Sequence, residues 1–418
     1  MQWLAGFWVP KQWMAAKVEL PIEHWKREYF LPFRPNQLIE RLASRSDCRE
    51  EFEKLRPAID DFKKKIQLQY QQHHEYLIDL YSQFDPDRDL CDRALEVATE
   101  GSGTLVSVDE SVCRSLFAEI ADSLNHANYR RLSPREIQAA IGAASHWGVR
   151  LQIRFSSFRR LEVYGRGDIV IKRMKRDWRS LFRVREVDVP IYQRLVVVFR
   201  PKEMQSLSDP LDPMRVHLRM FKNIPKADID MMLPGSKIRL SWLDTGKIGI
   251  PTLWGIFIMS SKLAKSLWII AFIGTLKVLS SFLFAIAIVL ATVFYGVKSI
   301  LSYTSTKRRY QLNITRSLYY QSLDNNLGAL LRLEEESEQQ EICEAILAYY
   351  VLSQAEGPLS TKEIDQRAES ILETLTGFPI DFDVDDAIRD LGSLGVFRMK
   401  AHGWTIAPSY QELGSSSS

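Results

Sequence analysis

Tyr192–Arg200 reads YQRLVVVFR, a run so rich in β-branched and aromatic side chains that it predicts a buried strand. On either side of it stand LQIRF, RRLEVYG, DIVIKR, RVHLRMF and SKIRLSW, short segments of the same character separated by turn signals. Gly165-Arg166-Gly167-Asp168 fits a hairpin turn between two of these strands, and Pro225–Leu233 fits a short helix closed by Pro234-Gly235. From about residue 149 the region therefore reads as an antiparallel sheet.

Upstream the period is helical. Leu38, Leu42, Phe52, Leu55, Ile59 and Phe62 recur at helical spacings, as do Ile66, Tyr70, Leu77 and Leu80. Ser133-Pro134-Arg135-Glu136 offers an N-cap, a proline at the first helical position and a capping-box glutamate. Helices to about residue 145 followed by a sheet make residues 22–245 an α+β domain. At 418 residues the chain exceeds one ordinary core, so two or three domains are expected. Its 26% charged and 46% hydrophobic residues are an ordinary globular mixture. Cys48, Cys91, Cys113 and Cys343 form no CxxC pair, which argues against a disulfide framework and a structural zinc site.

Val278–Val297 (VLSSFLFAIAIVLATVFYGV) is 20 residues without a charge, long enough as a helix to cross roughly 30 Å of hydrocarbon. The apolar stretch before it is interrupted by Lys262 and Lys265, which would be intramembrane polar groups. Two readings follow: a helical hairpin over 248–301, or one span preceded by an interfacial helix. Basic residues on both flanks, Lys237, Arg239 and Lys247 before and Lys298, Lys307, Arg308 and Arg309 after, favour the hairpin, with both ends on the cytoplasmic or matrix side. Residues 1–21, with Trp3, Phe7, Trp8 and Trp13, suit a membrane interface and show no cleavable signal peptide.

Residues 307–410 read as a second soluble domain. Its order of helices followed by a two-stranded turn at His402-Gly403 is that of a winged-helix module, and 411–418 reads as a flexible tail. From Tyr310 onward the chain carries 7 Lys and Arg against 18 Asp and Glu, while residues 1–309 carry 48 against 34. The acids Asp381, Asp383, Asp385, Asp386 and Asp390 on the helix that would enter a DNA groove oppose phosphate contact, so a protein partner or self-association suits the module better.

Arg150–Arg185 holds 12 Lys and Arg and 3 acids, interleaved with aromatics. Arg154, Arg159, Arg160, Lys172, Arg173, Lys175, Arg176 and Arg179 are its candidates for binding anionic lipid or an acidic partner. A solvated sheet face is the plainer use of such charges, and nucleic acid is disfavoured. Asp85-Pro86-Asp87-Arg88-Asp89 lacks the glycine an EF-hand loop needs, and His73-His74-Glu75 has no metal-site spacing. There is no P-loop, GxGxxG or GxSxG, so neither a catalytic residue, a metal ligand nor a cofactor is assigned.

Phe84–Asp87 (FDPD), Val189–Arg200 (VPIYQRLVVVFR), Phe221–Gly235 (FKNIPKADIDMMLPG), Leu318–Asn326 (LYYQSLDNN) and Glu341–Leu352 (EICEAILAYYVL), in this order, resemble the family around mitochondrial transmembrane protein 143, which has bacterial members. The resemblance implies a two-helix membrane protein in a bacterial inner membrane, or a mitochondrial one in a eukaryote. It implies no reaction. The expectation is a non-enzymatic membrane-anchored binding or scaffold protein that contacts anionic lipid or a protein partner, a second copy of itself included. The alternatives are a membrane-associated enzyme with its site in the α+β domain, near His73, His74 or Asp85–Asp89, and a small channel or transporter subunit.

Overall fold

A computed structural model describes residues 29–45, 49–88, 110–142, 150–152, 155–176, 184–202, 212–233, 237–239, 322–400 and 403–415, with scattered helical residues between 257 and 321. The chain is α+β and divides into two compact units, one of residues 1–133, 156–226 and 322–418, the other of residues 134–155 and 227–321.

The first unit is built on a five-stranded antiparallel sheet in the order β1-β3-β4-β5-β7. Its strands are β1 (Arg130–Arg131), β3 (Phe158–Arg176), β4 (Val184–Pro201), β5 (His217–Pro225) and β7 (Ser322–Asn325). YQRLVVVFR is the inner part of β4, where Val196 pairs with Tyr164 on one side and Met220 on the other. Contrary to the hairpin expected at Gly165–Asp168, RRLEVYG and DIVIKR are one continuous strand. Gly165 is there for close approach: a Cβ at that position would lie 3.0 Å from the Tyr192 ring. Gly167 has φ +74°, and any side chain there would run into Gln193.

Helices α1 (Pro35–Arg45), α2 (Arg49–Ser82) and α3 (Glu110–His126) precede the sheet, and β7 passes directly into α6 (Asn326–Ser353). One apolar cluster joins Tyr164, Val196, Val198, Leu218 and Met220 of the sheet to Leu77 and Tyr81 of α2, Phe117 and Ile120 of α3, and Leu330 and Leu333 of α6. Burying each large side chain there contributes about 1.5–3 kcal/mol.

A second cluster forms around the far half of α6, where every residue from Ile342 to Leu352 is buried. A helix that is buried on all sides must be surrounded, and α1, α2, α7 (Thr361–Thr376) and α8 (Val384–Ser393) supply the cover. Ser360 and Glu363 form a capping box at the start of α7, and Gly377 closes it in the left-handed conformation. The hairpin of β8 (Phe397–Lys400) and β9 (Gly403–Ile406) follows α8, with Leu359 bridged to Trp404. The last helix, α9 (Pro408–Ser415), occupies part of the stretch expected as a free tail, because Tyr410 is buried and bonds to Asp61 and Lys65 of α2.

The second unit contains α4 (Pro134–Gly142) and α5 (Ile229–Met232), and β2 (Arg150–Gln152) paired antiparallel with β6 (Lys237–Arg239).

The membrane-spanning hairpin expected over 248–301 is corrected: among the described residues no helix is long and apolar enough to cross a membrane. The expectation rested on charge-free length, whereas a span requires an unbroken apolar helix of about 20 residues. Most of 248–301, including Lys262 and Lys265, lies outside the described residues, as does 1–21. Ile286, Leu290, Phe294 and Val297 are described, and they are helical and exposed. The integral-membrane location, bacterial or mitochondrial, is corrected with the hairpin.

Candidate metal centre

Between its two apolar clusters α6 carries a polar seam. Glu334, Ser337, Glu341 and Glu344 fall three and four residues apart, so they share one helix face, and all four are buried, as is Gln340 beside them. Burying a carboxylate without a partner costs several kcal/mol, so each must be answered by something.

Two positions are fully answered. Glu334 accepts from the Ser123 hydroxyl and pairs through its other oxygen with His73 Nδ1 at 2.9 Å, while His73 Nε2 meets Glu119 at 3.2 Å. The Glu334 hydrogen bond, with Glu119 adding to it, raises the His73 pKa to about 9 despite partial burial. Gln340 donates to the Leu31 carbonyl and accepts from the Leu31 amide.

Glu344 is half answered. Asn128, held at φ +58°, donates to it at 2.8 Å. Burial nonetheless raises the Glu344 pKa, and Asp383, Asp386 and Asp390 raise it further.

Glu341 is not answered. Its side chain is 2% exposed, and neither oxygen receives a hydrogen bond. His126 Nδ1 stands 3.5 Å from it, and that nitrogen also meets the Tyr70 hydroxyl at 3.3 Å, itself 3.0 Å from Ser337. Burial pushes the Glu341 pKa up, and so do Asp390, Glu344 and Asp386.

Three helices bring ligand atoms together here. One atom each of His126 (end of α3), Glu341 (α6) and Asp386 (first turn of α8) lie within 4.8 Å of one another. Ligand atoms about 2.0–2.2 Å from a shared ion would stand about 3–4.4 Å apart, so small side-chain rotations suffice. Glu341 is the floor, while His126 and Asp386 keep side-chain exposures of 30% and 25%, giving the cluster an opening to solvent. Arg389 pairs with Asp386 at 2.7 Å and reaches Asp390 at 3.7 Å, and it is itself 58% exposed.

None of these three residues was a sequence candidate. The acids of α8, read as an outward surface, in part turn inward. The traceable signal was a pair of glutamates, Glu341 and Glu344, inside the apolar phrase EICEAILAYYVL. A lone histidine such as His126 carried none.

Of the basic candidates, Arg159, Arg160 and Lys172 have described side chains. Arg159 pairs with Glu110 at 3.4 Å. Arg160 binds Glu162 at 2.9 Å and lies over the Phe117 ring. Lys172 is exposed. Arg173, Lys175 and Arg176 continue β3 beyond it, and Arg154 and Arg179 lie outside the described residues. Asp87 accepts from Asn326 at 2.6 Å and so tethers the start of α6.

Residues 192–328 match a family model described as a protein of unknown function, DUF3754. The match covers β4 from Tyr192 onward, β5, α5, β6, β7 and the first residues of α6, and excludes His126, Glu341 and Asp386. It carries neither the transmembrane protein 143 name nor a bacterial source. No solved structure matches the chain.

Proposed function

We propose that this chain is a divalent-cation-binding protein whose ion is held by His126, Glu341 and Asp386, with Glu344 and Asp390 next to it. The observation that carries the reading is Glu341, a buried carboxylate with two unbonded oxygens aimed at an imidazole and a second carboxylate. An ion would replace the missing hydrogen bonds and offset the mutual repulsion of the acids.

The donor set is one nitrogen and carboxylate oxygens, with no thiolate. It suits Zn²⁺, Mn²⁺ or Fe²⁺ better than Ca²⁺, which takes six to eight oxygens. Two clefts, about 260 and 330 Å³, are lined by other residues, among them Arg34 and Lys63 in one and Glu363 and Arg367 in the other. The three helices of the centre support ion binding that joins α3, α6 and α8.

Metal content of the purified full-length chain after dialysis, and calorimetric titration with Zn²⁺, Mn²⁺ and Mg²⁺, test the proposal. One tightly bound ion per chain is expected. Glu341→Gln or His126→Ala should weaken binding by more than the roughly 10–100-fold that outer-shell changes cost. Absence of any stoichiometric ion, or affinities untouched by both substitutions, would overturn it.

A further inference from the structure

Helix α8 is held against α6 by two opposed sets of contacts. On one flank Ala387, Ile388 and Leu391 are buried in the same cluster as Ile342, Ile346 and Tyr349. On the other, Asp386 brings a carboxylate oxygen within 4.8 Å of a Glu341 oxygen, neither Glu341 oxygen accepts a hydrogen bond, and Asp383, Asp390 and Glu344 add further carboxyl groups beside them. The remaining titratable groups facing this contact are Tyr70 of α2, His126 of α3, and Arg389 of α8 itself, whose charge lies on the solvent side. No Lys or Arg of α6 faces the carboxylates among the described residues; Arg332, near its start, is engaged with Asp324 and Glu336.

The neighbours of α8 are tied down independently of the centre. The Arg41 guanidinium donates to the Leu375 carbonyl near the end of α7 at 3.1 Å. Leu359 and Trp404 exchange backbone hydrogen bonds of 3.1 and 2.7 Å. Tyr410 of α9 donates to Asp61 at 2.7 Å. Helix α8 is thus the element whose seat depends most on what lies between the carboxylates.

Resting on the ion-binding reading, we infer that occupancy of the His126–Glu341–Asp386 centre decides whether α8 stays docked on α6. A bound cation ties Asp386 to Glu341 and His126 and turns a repulsive flank into an attractive one. Its loss leaves the apolar flank alone to hold α8. The winged-helix-like module then has two states, α8 docked and α8 loosened, set by a metal ion.

Amide hydrogen exchange of the full-length chain tests this, with metal content measured on the same samples. Zn²⁺ or Mn²⁺ should slow exchange across 383–394 at least about tenfold relative to the chelator-treated protein, with 361–376 little changed. Glu341→Gln removes a charge and a ligand together and adds an amide donor. Its 383–394 segment should exchange more slowly than that of ion-free wild type and should ignore added metal. Metal bound at the centre with unchanged exchange in 383–394 would overturn the switch and leave the ion-binding reading standing. No bound metal would remove both. A Glu341→Gln protein as fast in 383–394 as ion-free wild type would overturn the role given to repulsion.

Discussion

The side-chain amide of Gln340 grips the backbone of Leu31 in both directions, its Nε2 donating to the Leu31 carbonyl at 3.0 Å and its Oε1 accepting from the Leu31 amide at 2.9 Å. All of these atoms are buried, and the pair ties the segment before α1 to the middle of α6. Gln340 thus does for Leu31 what a neighbouring strand would do. Because it lies beside Glu341, the same turn of α6 also presents the floor of the candidate metal centre.

Gln340→Leu should therefore be costly out of proportion to its size. It keeps the volume but leaves a buried N–H and C=O without partners, which costs about 2–4 kcal/mol. Equilibrium urea denaturation measures it, and a loss below about 1 kcal/mol would mean that water or another group replaces the amide.

His73 makes a pH-dependent contribution with a definite sign. Its folded-state pKa is raised, to about 9, by Glu334 first and Glu119 as well, from an ordinary value near 6.5. The charged imidazole therefore stabilises the fold fully below about pH 6.5, and that stabilisation fades as pH rises through about 9. Denaturation curves between pH 6 and 10 should show wild type losing its advantage over His73→Gln across this window. Parallel pH profiles for the two proteins would contradict the assignment.

Gly403 sits at φ +149°, and a side chain there would collide with the Leu359 carbonyl. Gly403→Ala should cost about 1–3 kcal/mol in backbone strain alone. The damage should concentrate in the β8–β9 hairpin, and hydrogen exchange across 397–406 reads it directly. Protection equal to wild type in that hairpin would show that the backbone yields more easily than the bridge to Leu359 suggests.

Local chemistry made parts of this fold legible. YQRLVVVFR announced a strand because β-branched side chains crowd a helix and suit a pleated surface. Ser133–Glu136 marked a helix start, and α4 begins at Pro134. The reading failed where a residue's role belongs to a distant neighbour. Gly165 looked like a turn because glycine permits turns, but it makes room for Tyr192. Asp324 and Asn325 pair with Met220 and Arg219 at the sheet edge, more than a hundred residues away in the chain. Val278–Val297 looked like a span on composition, but among the described residues no helix is long and apolar enough to cross a membrane.

By itself, then, the sequence determined the α+β class, the helical and strand periods and the acidic character of the C-terminal part, because each follows from side-chain chemistry within a few residues. Tertiary structure alone decided that His126, Glu341 and Asp386 meet, that Glu341 is left without a donor, and that the acids of α8 partly face inward. The physical reason is that periodicity reports which face of a helix is buried and is silent about what it is buried against. A buried carboxylate draws its meaning from the groups that answer it, and here those groups come from helices far apart in the chain.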